Sequence, residues 1–217
     1  MKLVIVNGSP RGRKSNSDKI IEWPISEMKG SPDFQYEKLY AVDIKERAEQ
    51  MNALKSADYI LVIFPLYTDS MPGITKEFFE HMERNKEFLT GKPIAFIIHS
   101  GFPEATQSRS VEKYAEYFSK LLSLRYMGSI VMAGSESLTA APESMFRKKI
   151  EAFKSIGRSI SEVKEFEAAD KLIISGPETL PKYQLFILKC FNPSNFYWNG
   201  ILKKNNAFEK RFDKPYL

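Results

Sequence analysis

Four short runs in this chain are apolar at every position: Leu3–Val6, Tyr59–Phe64, Ile94–Ile98 and Ile130–Ala133. Continuous runs of that length, rich in β-branched and aromatic residues, suit strands buried on both faces, as in parallel sheets. A fifth run, Phe34–Leu39, mixes Gln, Glu and Lys with aromatics and suits an edge strand. Helical segments are predicted between them over Asp18–Lys29, Lys45–Ser56, Thr75–Lys86, Ser110–Ser123 and Ser144–Phe166. In the fourth, Val111, Ala115, Phe118 and Leu122 recur at helical spacing. Pro24, inside the first helix, is expected to kink or split it. Strand and helix alternate five times. That order predicts right-handed crossovers and an α/β three-layer sandwich, a five-stranded parallel sheet with helices on both faces. The body is expected over residues 1–169 and a C-terminal extension over 170–217. The stretch Ala168–Pro181, broken at Gly176-Pro177, reads as the joint.

Charge adds one feature to this picture. The chain has 217 residues, 32 Lys+Arg and 27 Asp+Glu, for a net charge of +5. Seven of the basic and two of the acidic residues fall from Lys182 onward, leaving 25 of each before it. The body is neutral and the tail is basic. The tail also holds nine of the 28 aromatic residues, counted as Trp 2, Tyr 10 and Phe 16. The single cysteine, Cys190, excludes an internal disulfide framework and an iron–sulfur ligand set. The first residues are too short an apolar run for a secretory signal, and no stretch approaches a transmembrane length, so a cytoplasmic protein is expected.

In open parallel sheets, ligands bind beyond the carboxyl ends of the strands. That rule singles out three loops. The first, Asn7 to Ser17, carries Ser9, Ser15, Asn16 and Ser17 as donors and Arg11, Arg13 and Lys14 as countercharge, just before a helix start. Backbone N–H groups and the positive helix end there suit a phosphate. It is neither a Walker loop nor G-x-G-x-x-G, and a capped helix start is the plain alternative. The second loop, Phe64 to Gly73, has Pro65 and Pro72 at its ends, with Leu66, Tyr67 and Thr68 between them. A stiff turn bearing an aromatic suits a planar ring. The third, His99 to Glu104, brings Ser100 and Gly101 to the same edge.

Taken together, Gly8-Ser9-Pro10-Arg11 with Ser15-Asn16-Ser17, and Pro65-Leu66-Tyr67 with Ser70-Met71-Pro72-Gly73, resemble the signature loops of NAD(P)H-dependent FMN reductases. The resemblance covers roughly residues 1–165. It implies a flavodoxin-like fold, non-covalent FMN, and NADH or NADPH as co-substrate. The implied reaction passes electrons to a flavin, quinone or other small acceptor, in a homodimer or tetramer. Carried over residue by residue, Ser9, Arg11, Ser15, Asn16 and Ser17 would hold the phosphate. Pro65, Leu66, Tyr67 and Thr68 would follow the ring, and Ser100 and Gly101 would meet its pyrimidine edge. No side-chain acid or base is required for hydride transfer, so no catalytic residue is assigned. Thr68-Asp69 stands where many relatives have an aromatic and a small residue, and residues 170–217 carry no motif of that family.

Other chemistry finds little support. There are two histidines, His81 and His99, and no Cys/His cluster, so no metal is expected. There is no G-x-S-x-G elbow. Asp43, Asp69 and Glu104 could be catalytic carboxylates, but solvated loop acids are the better reading. A flavodoxin-type electron carrier, or a non-enzymatic flavin sensor using its tail, are the alternatives. In the tail, Lys189, Lys203, Lys204, Lys210 and Arg211 interleave with Phe191, Phe196, Tyr197, Trp198, Phe208 and Phe212. That mixture could stack bases or lie on an anionic membrane, but packing on the body or on a second subunit is favoured.

Overall fold

The four apolar runs form β1 (Lys2–Asn7), β3 (Tyr59–Pro65), β4 (Pro93–His99) and β5 (Arg125–Met132), and the mixed run forms β2 (Gln35–Tyr40). In this computed structural model all pairings are parallel, in the order β2-β1-β3-β4-β5. Residues 1–139, 141–191 and 193–214 are described, with side chains at 187–191, 193, 194, 196 and 197 excepted. The tail residues Lys189, Cys190, Phe191, Phe196 and Tyr197 therefore have their side chains outside the described residues.

A strand's period of two divides each apolar run between the two faces of the sheet. Val4, Val6, Ile60, Val62, Phe64, Ile94, Phe96 and Ile98 pack with α2 (Arg47–Lys55), α3 (Gly73–Arg84) and α4 (Arg109–Leu121). Leu3, Ile5, Tyr59, Leu61, Ile63, Ala95 and Ile97 pack with α1 (Asn16–Met28), α5 (Arg147–Ser161) and α6 (Ala168–Ser175). On the first face Phe79 stacks on Phe118 with centroids 4.3 Å apart and meets Phe64 and Phe96 edge-on. Such pairs add about 0.5–1.5 kcal/mol each beyond area burial. They fix the middle of α3 and the last turn of α4 against β3 and β4.

Two expectations are corrected. Pro24 does not split the first helix, which runs from Asn16 to Met28 through it. Ile25 and Met28, beyond the proline, are buried in the same core as Ile20 and Ile21, and Gly157 of α5 leaves space for the Pro24 carbonyl. Tertiary packing outweighs the one backbone bond that proline removes. The single helix expected over Ser144–Phe166 is a 3-10 turn, Glu143–Phe146, followed by α5, which ends at Ser161. Lys164 N–H bonds the Ser159 carbonyl and Val163 N–H that of Ile160, with Val163 at φ 53. This is a Schellman end with valine where glycine is usual, so no glycine marks it in the sequence.

The chain divides into two compact units, Met1–Glu178 and Thr179–Leu217. The first unit thus reaches one helix beyond the expected division at residue 169. Ile174 of α6 is fully buried. Residues 177 and 178 are tied to the segment after β4: Ala105 N–H bonds the Pro177 carbonyl (3.0 Å) and Arg109 clasps the Glu178 carboxylate (2.7 Å). The second unit contains α7 (Lys182–Phe191) and α8 (Pro193–Lys204). Within it the Arg211 guanidinium lies 3.8 Å from the Phe208 ring centroid and Lys203 lies 5.0 Å from it. No helix among the described residues is long and apolar enough to cross a membrane.

Candidate functional site

The strand order reverses direction between β1 and β3, the switch point of a doubly wound sheet. The loops after β1, β3, β4 and β5 converge there on one cleft. Its walls are Ser9, Arg11, Asn16, Pro65, Leu66, Tyr67, His99, Ser100, Gly101, Ser135 and Glu136. Eight of the eleven sequence-predicted residues are among them. Ser15, Ser17 and Thr68 are not.

The first loop is built by its own hydrogen bonds. Gly8 N–H extends the sheet to the Ile63 carbonyl (2.8 Å). A side chain at Gly8 would place Cβ 2.4 Å from Thr75 Oγ1, whose hydroxyl donates to the Gly8 carbonyl (2.6 Å). The first turn of α3 is thereby bolted to the loop. Asn7 Oδ1 accepts from Ser9 N–H (2.9 Å), and Asn7 Nδ2 donates to Ser15 Oγ (3.1 Å). Ser15 Oγ donates to the Gly12 carbonyl (2.6 Å) and caps α1 by accepting from Asp18 N–H (3.2 Å). Ser15 is therefore an internal brace beneath the cleft. The amides of Asn16 and Ser17 belong to the first helical turn, whose N–H groups lack intrahelical acceptors.

The cations divide likewise. Arg13 pairs with Asp43 at 2.9 Å and lies over Tyr40, 4.1 Å from its centroid. The hydrogen bond from Arg13 to Asp43 raises the guanidinium pKa. Tyr40 donates to Asp18 (2.9 Å), and burial with that bond pushes its hydroxyl up to about 12. Arg13 is thus committed to the β2 edge. Arg11 makes no ion pair among the described residues and is the cation in the cleft wall.

Beneath the cleft lies a buried relay that sequence reasoning missed. Ser135 Oγ donates to the Ser100 carbonyl (3.0 Å), so it accepts from His99 Nδ1–H (2.9 Å). His99 Nε2 is then the unprotonated nitrogen and accepts from Ser17 Oγ (2.7 Å). Burial pushes the imidazole pKa down to about 3, so the ring is neutral at physiological pH. Asn16 Nδ2 donates to the Ser135 carbonyl (2.9 Å). The relay and this bond lock the start of α1 to the ends of β4 and β5. The one available signal was a histidine closing an apolar strand at the ligand edge of the sheet. Ser135 and Glu136 lie too far along the chain to be read with the other loops.

At the opposite wall, Tyr67 and Ser70 exchange backbone bonds of 2.8 and 3.1 Å around Thr68 (φ 48) and Asp69 (φ 60). Two left-handed central residues define a type I′ turn, normally the province of Asn-Gly. A β-branched threonine there is strained, at a cost on the order of 1–3 kcal/mol. Leu66 N–H is engaged with the His99 carbonyl (2.7 Å). The Leu66 and Tyr67 amides are thus spent internally, and the Thr68 and Asp69 amides stand at the tip. Tyr67 is half exposed beside the cleft. Ser100 Oγ is buried without a hydrogen-bond partner. A buried unpartnered hydroxyl in a cleft wall is available to a water or a polar group in the cleft. Among the described residues, no group of three or more His, Cys, Asp or Glu is placed to hold a metal ion.

A parallel sheet in this strand order, with its loops converging on a cleft at the switch point, defines a flavodoxin-like α/β protein. The chain belongs to the flavodoxin-like fold family, whose model matches residues 1–155. No curated protein matches it. Among solved structures it is similar to an NADH:FMN oxidoreductase in its apo form, at 19% identity and TM-score 0.59, over 85% of this chain and 98% of that one. An NAD(P)H:quinone oxidoreductase from Methanothermobacter marburgensis aligns at 13% identity and TM-score 0.58, over 73% of this chain and 95% of that one. An FMN-dependent NADH-azoreductase from Bacillus anthracis, in complex with FMN, aligns at 15% identity and TM-score 0.55, over 75% and 99%.

Proposed function

We propose that the chain is an FMN-dependent oxidoreductase that takes a hydride from NADH or NADPH and passes electrons to a small acceptor such as a flavin or quinone. The observation that carries this reading is the convergence of an anion-binding end and a ring-binding end on one cleft. At the first end stand Arg11, Ser9 and the opening turn of α1. At the second, Pro65, Leu66 and Tyr67 face the unpartnered hydroxyl of Ser100. These residues fit FMN by chemistry: a cation and helix amides for the phosphate, an aromatic wall and one free hydroxyl for the ring. FMN, when bound, supplies the hydride acceptor and the electron donor.

The protein's share of the work is placement. Arg11 and the α1 amides neutralise the phosphate. The neutral His99 relay keeps the α1 start in register with the Ser100 loop without adding charge under the ring. The Thr68 and Asp69 amides, presented by the strained turn, are the donors nearest Tyr67 for the ring's polar edge. Ser15 and Ser17 act from beneath, through the loop and the relay. The names of the structures similar in fold support a reductase over an electron carrier. We further read the C-terminal unit, with exposed Tyr183, Phe186, Trp198 and Phe212, as a self-association element of a cytoplasmic homo-oligomer.

Anaerobic mixing of the FMN-loaded protein with NADH and with NADPH tests the assignment. Bleaching of the flavin absorbance within the turnover time supports the reductase. FMN that binds but is reduced by neither nucleotide returns the chain to an electron-carrier reading.

A further inference from the structure

The third loop of the cleft is held at both ends. At its start, Ser135 N–H bonds the Ser100 carbonyl (2.8 Å) and Gly134 N–H that of Phe102 (2.7 Å), so the end of β5 fixes the residues around Gly101. Its far end runs through Pro103 and Glu104 into a 3-10 turn, Thr106–Ser108, and the start of α4. That end is held by residues 177 and 178, just beyond α6. Ala105 N–H bonds the Pro177 carbonyl (3.0 Å) and Thr106 N–H that of Glu178 (3.2 Å). Arg109 closes the contact. Its Nε lies 3.1 Å from both carboxylate oxygens of Glu178 and its Nη2 2.7 Å from one of them, while Nη1 donates to Glu112 (2.7 Å). A planar guanidinium set on a carboxylate in this fork fixes direction as well as distance.

The strap has its own local cause. Gly176 ends α6 at φ 72 and ψ −157, a region essentially closed to residues with a Cβ. It turns the chain out of the helix, and the fully buried Ile174 fixes where that turn starts. Pro177 has no N–H and offers its carbonyl, the group that Ala105 takes. What the strap holds bears on the ring end of the cleft. Gly101 stands in the cleft wall. Arg109 opens α4, whose Ser110, Val111 and Tyr114 face Asp69, Ser70 and Met71 of the Tyr67 turn across a space of about 310 Å³. One clasp thus sets the far end of the third loop and the helix surface opposite the turn. The phosphate end is built on α1 and the first loop.

We propose that Arg109 and Glu178 are positioning residues for the ring end of the cleft, so that the joint beyond α6, outside the span 1–155 matched by the family model, completes the cofactor site. The inference rests on the proposed FMN site. Its physical route is a population. A third loop released at its far end samples arrangements that do not fit the ring, and the apparent dissociation constant rises by the inverse of the fitting fraction. A partly exposed ion pair contributes little by itself, so the expected loss is about three- to fivefold. Because the loss arises at the ring, it falls equally on FMN and on riboflavin, which lacks the phosphate.

Flavin-fluorescence titrations of the full chain compare wild type with Arg109→Ala, Glu178→Ala and the double variant, at a temperature where circular dichroism shows all four folded. Each single variant is expected to weaken FMN and riboflavin by the same factor, about three- to fivefold. The double variant is expected to bind no more weakly than Arg109→Ala, because both substitutions open one clasp. Arg109→Lys, which keeps the charge and loses the fork, is expected to match Arg109→Ala. Where Glu178→Ala does not fold, Glu178→Gln, which removes the carboxylate charge from the fork, carries the same comparison. Wild-type affinity in the Glu178 variant overturns the proposal. So does a loss confined to FMN, or full additivity in the double variant. FMN and riboflavin that both fail to bind the wild type overturn the function reading, and this inference with it.

Discussion

Replacing His99 with glutamine tests the buried relay, because the pH dependence of the stability difference between the two proteins isolates the imidazole. The wild-type imidazole is enclosed between Ser17 and Ser135, and burial holds its pKa at about 3, against an unfolded value of about 6.5. Below pH 6.5 the unfolded chain therefore binds a proton that the folded chain refuses. The unfolded state binds more protons, so stability rises with pH across this window. The contribution is complete above pH 6.5 and is lost as pH falls toward 3. Each pH unit inside the window costs about 1.4 kcal/mol, so lowering pH from 7.5 to 5.0 costs the wild type about 2 kcal/mol through His99 alone. Glutamine has no such titration. It also reaches only one of the two hydroxyls, leaving a buried polar group unpaired at a cost of about 1–3 kcal/mol. Urea unfolding at both pH values is then expected to show the wild type ahead at pH 7.5 and its lead shrinking by about 2 kcal/mol at pH 5.0. Carboxylates titrate alike in both proteins and cancel. Parallel pH profiles for the two proteins would refute a buried neutral imidazole.

Arg11→Ala is expected to weaken FMN binding by about ten- to a hundredfold, the worth of one charge-assisted phosphate contact, in a flavin-fluorescence titration; unchanged affinity removes Arg11 from the site. Replacing Thr68-Asp69 by Asn-Gly relieves two left-handed residues and should raise stability by about 1–2 kcal/mol in thermal unfolding, while slowing reduction by NADH if the strained turn aims the ring's donors. Gly157→Ala would put Cβ 2.3 Å from the Pro24 carbonyl; a loss of about 1–3 kcal/mol is expected from forcing α1 and α5 apart, and wild-type stability by circular dichroism would show that the two helices do not touch there. Removing residues 179–217 is expected to lower the sedimenting mass to that of one subunit, and an unchanged oligomer contradicts a role for the C-terminal unit in self-association.

Most of the fold was legible because its signals are local. An all-apolar run such as Tyr59–Phe64 has one stable place, the middle of a parallel sheet, and β2 declared itself an edge by its Gln, Glu and Lys. The helix ends were less legible. Val163 closes α5 in a conformation valine rarely adopts, held there by packing. Pro24 passes through α1 because α5 presents a glycine to it. Neither fact is written in the residues nearby.

For the site, the sequence by itself determined which loops meet, since strand order and crossover handedness bring the ends after β1, β3 and β4 to one edge. It also supplied the residue types for an anion and a flat ring. Only the tertiary structure decided which of those side chains face the cleft. Ser15 and Ser17 are equivalent to Ser9 as letters, yet the α1 cap and the His99 relay turn them inward and leave Arg11 and Asn16 in the wall. His99, Ser135 and Glu136 joined the site through contacts across as many as 119 positions of chain. No local pattern encodes such a contact, because it exists only once the helices have packed and buried polar groups have been forced to find one another.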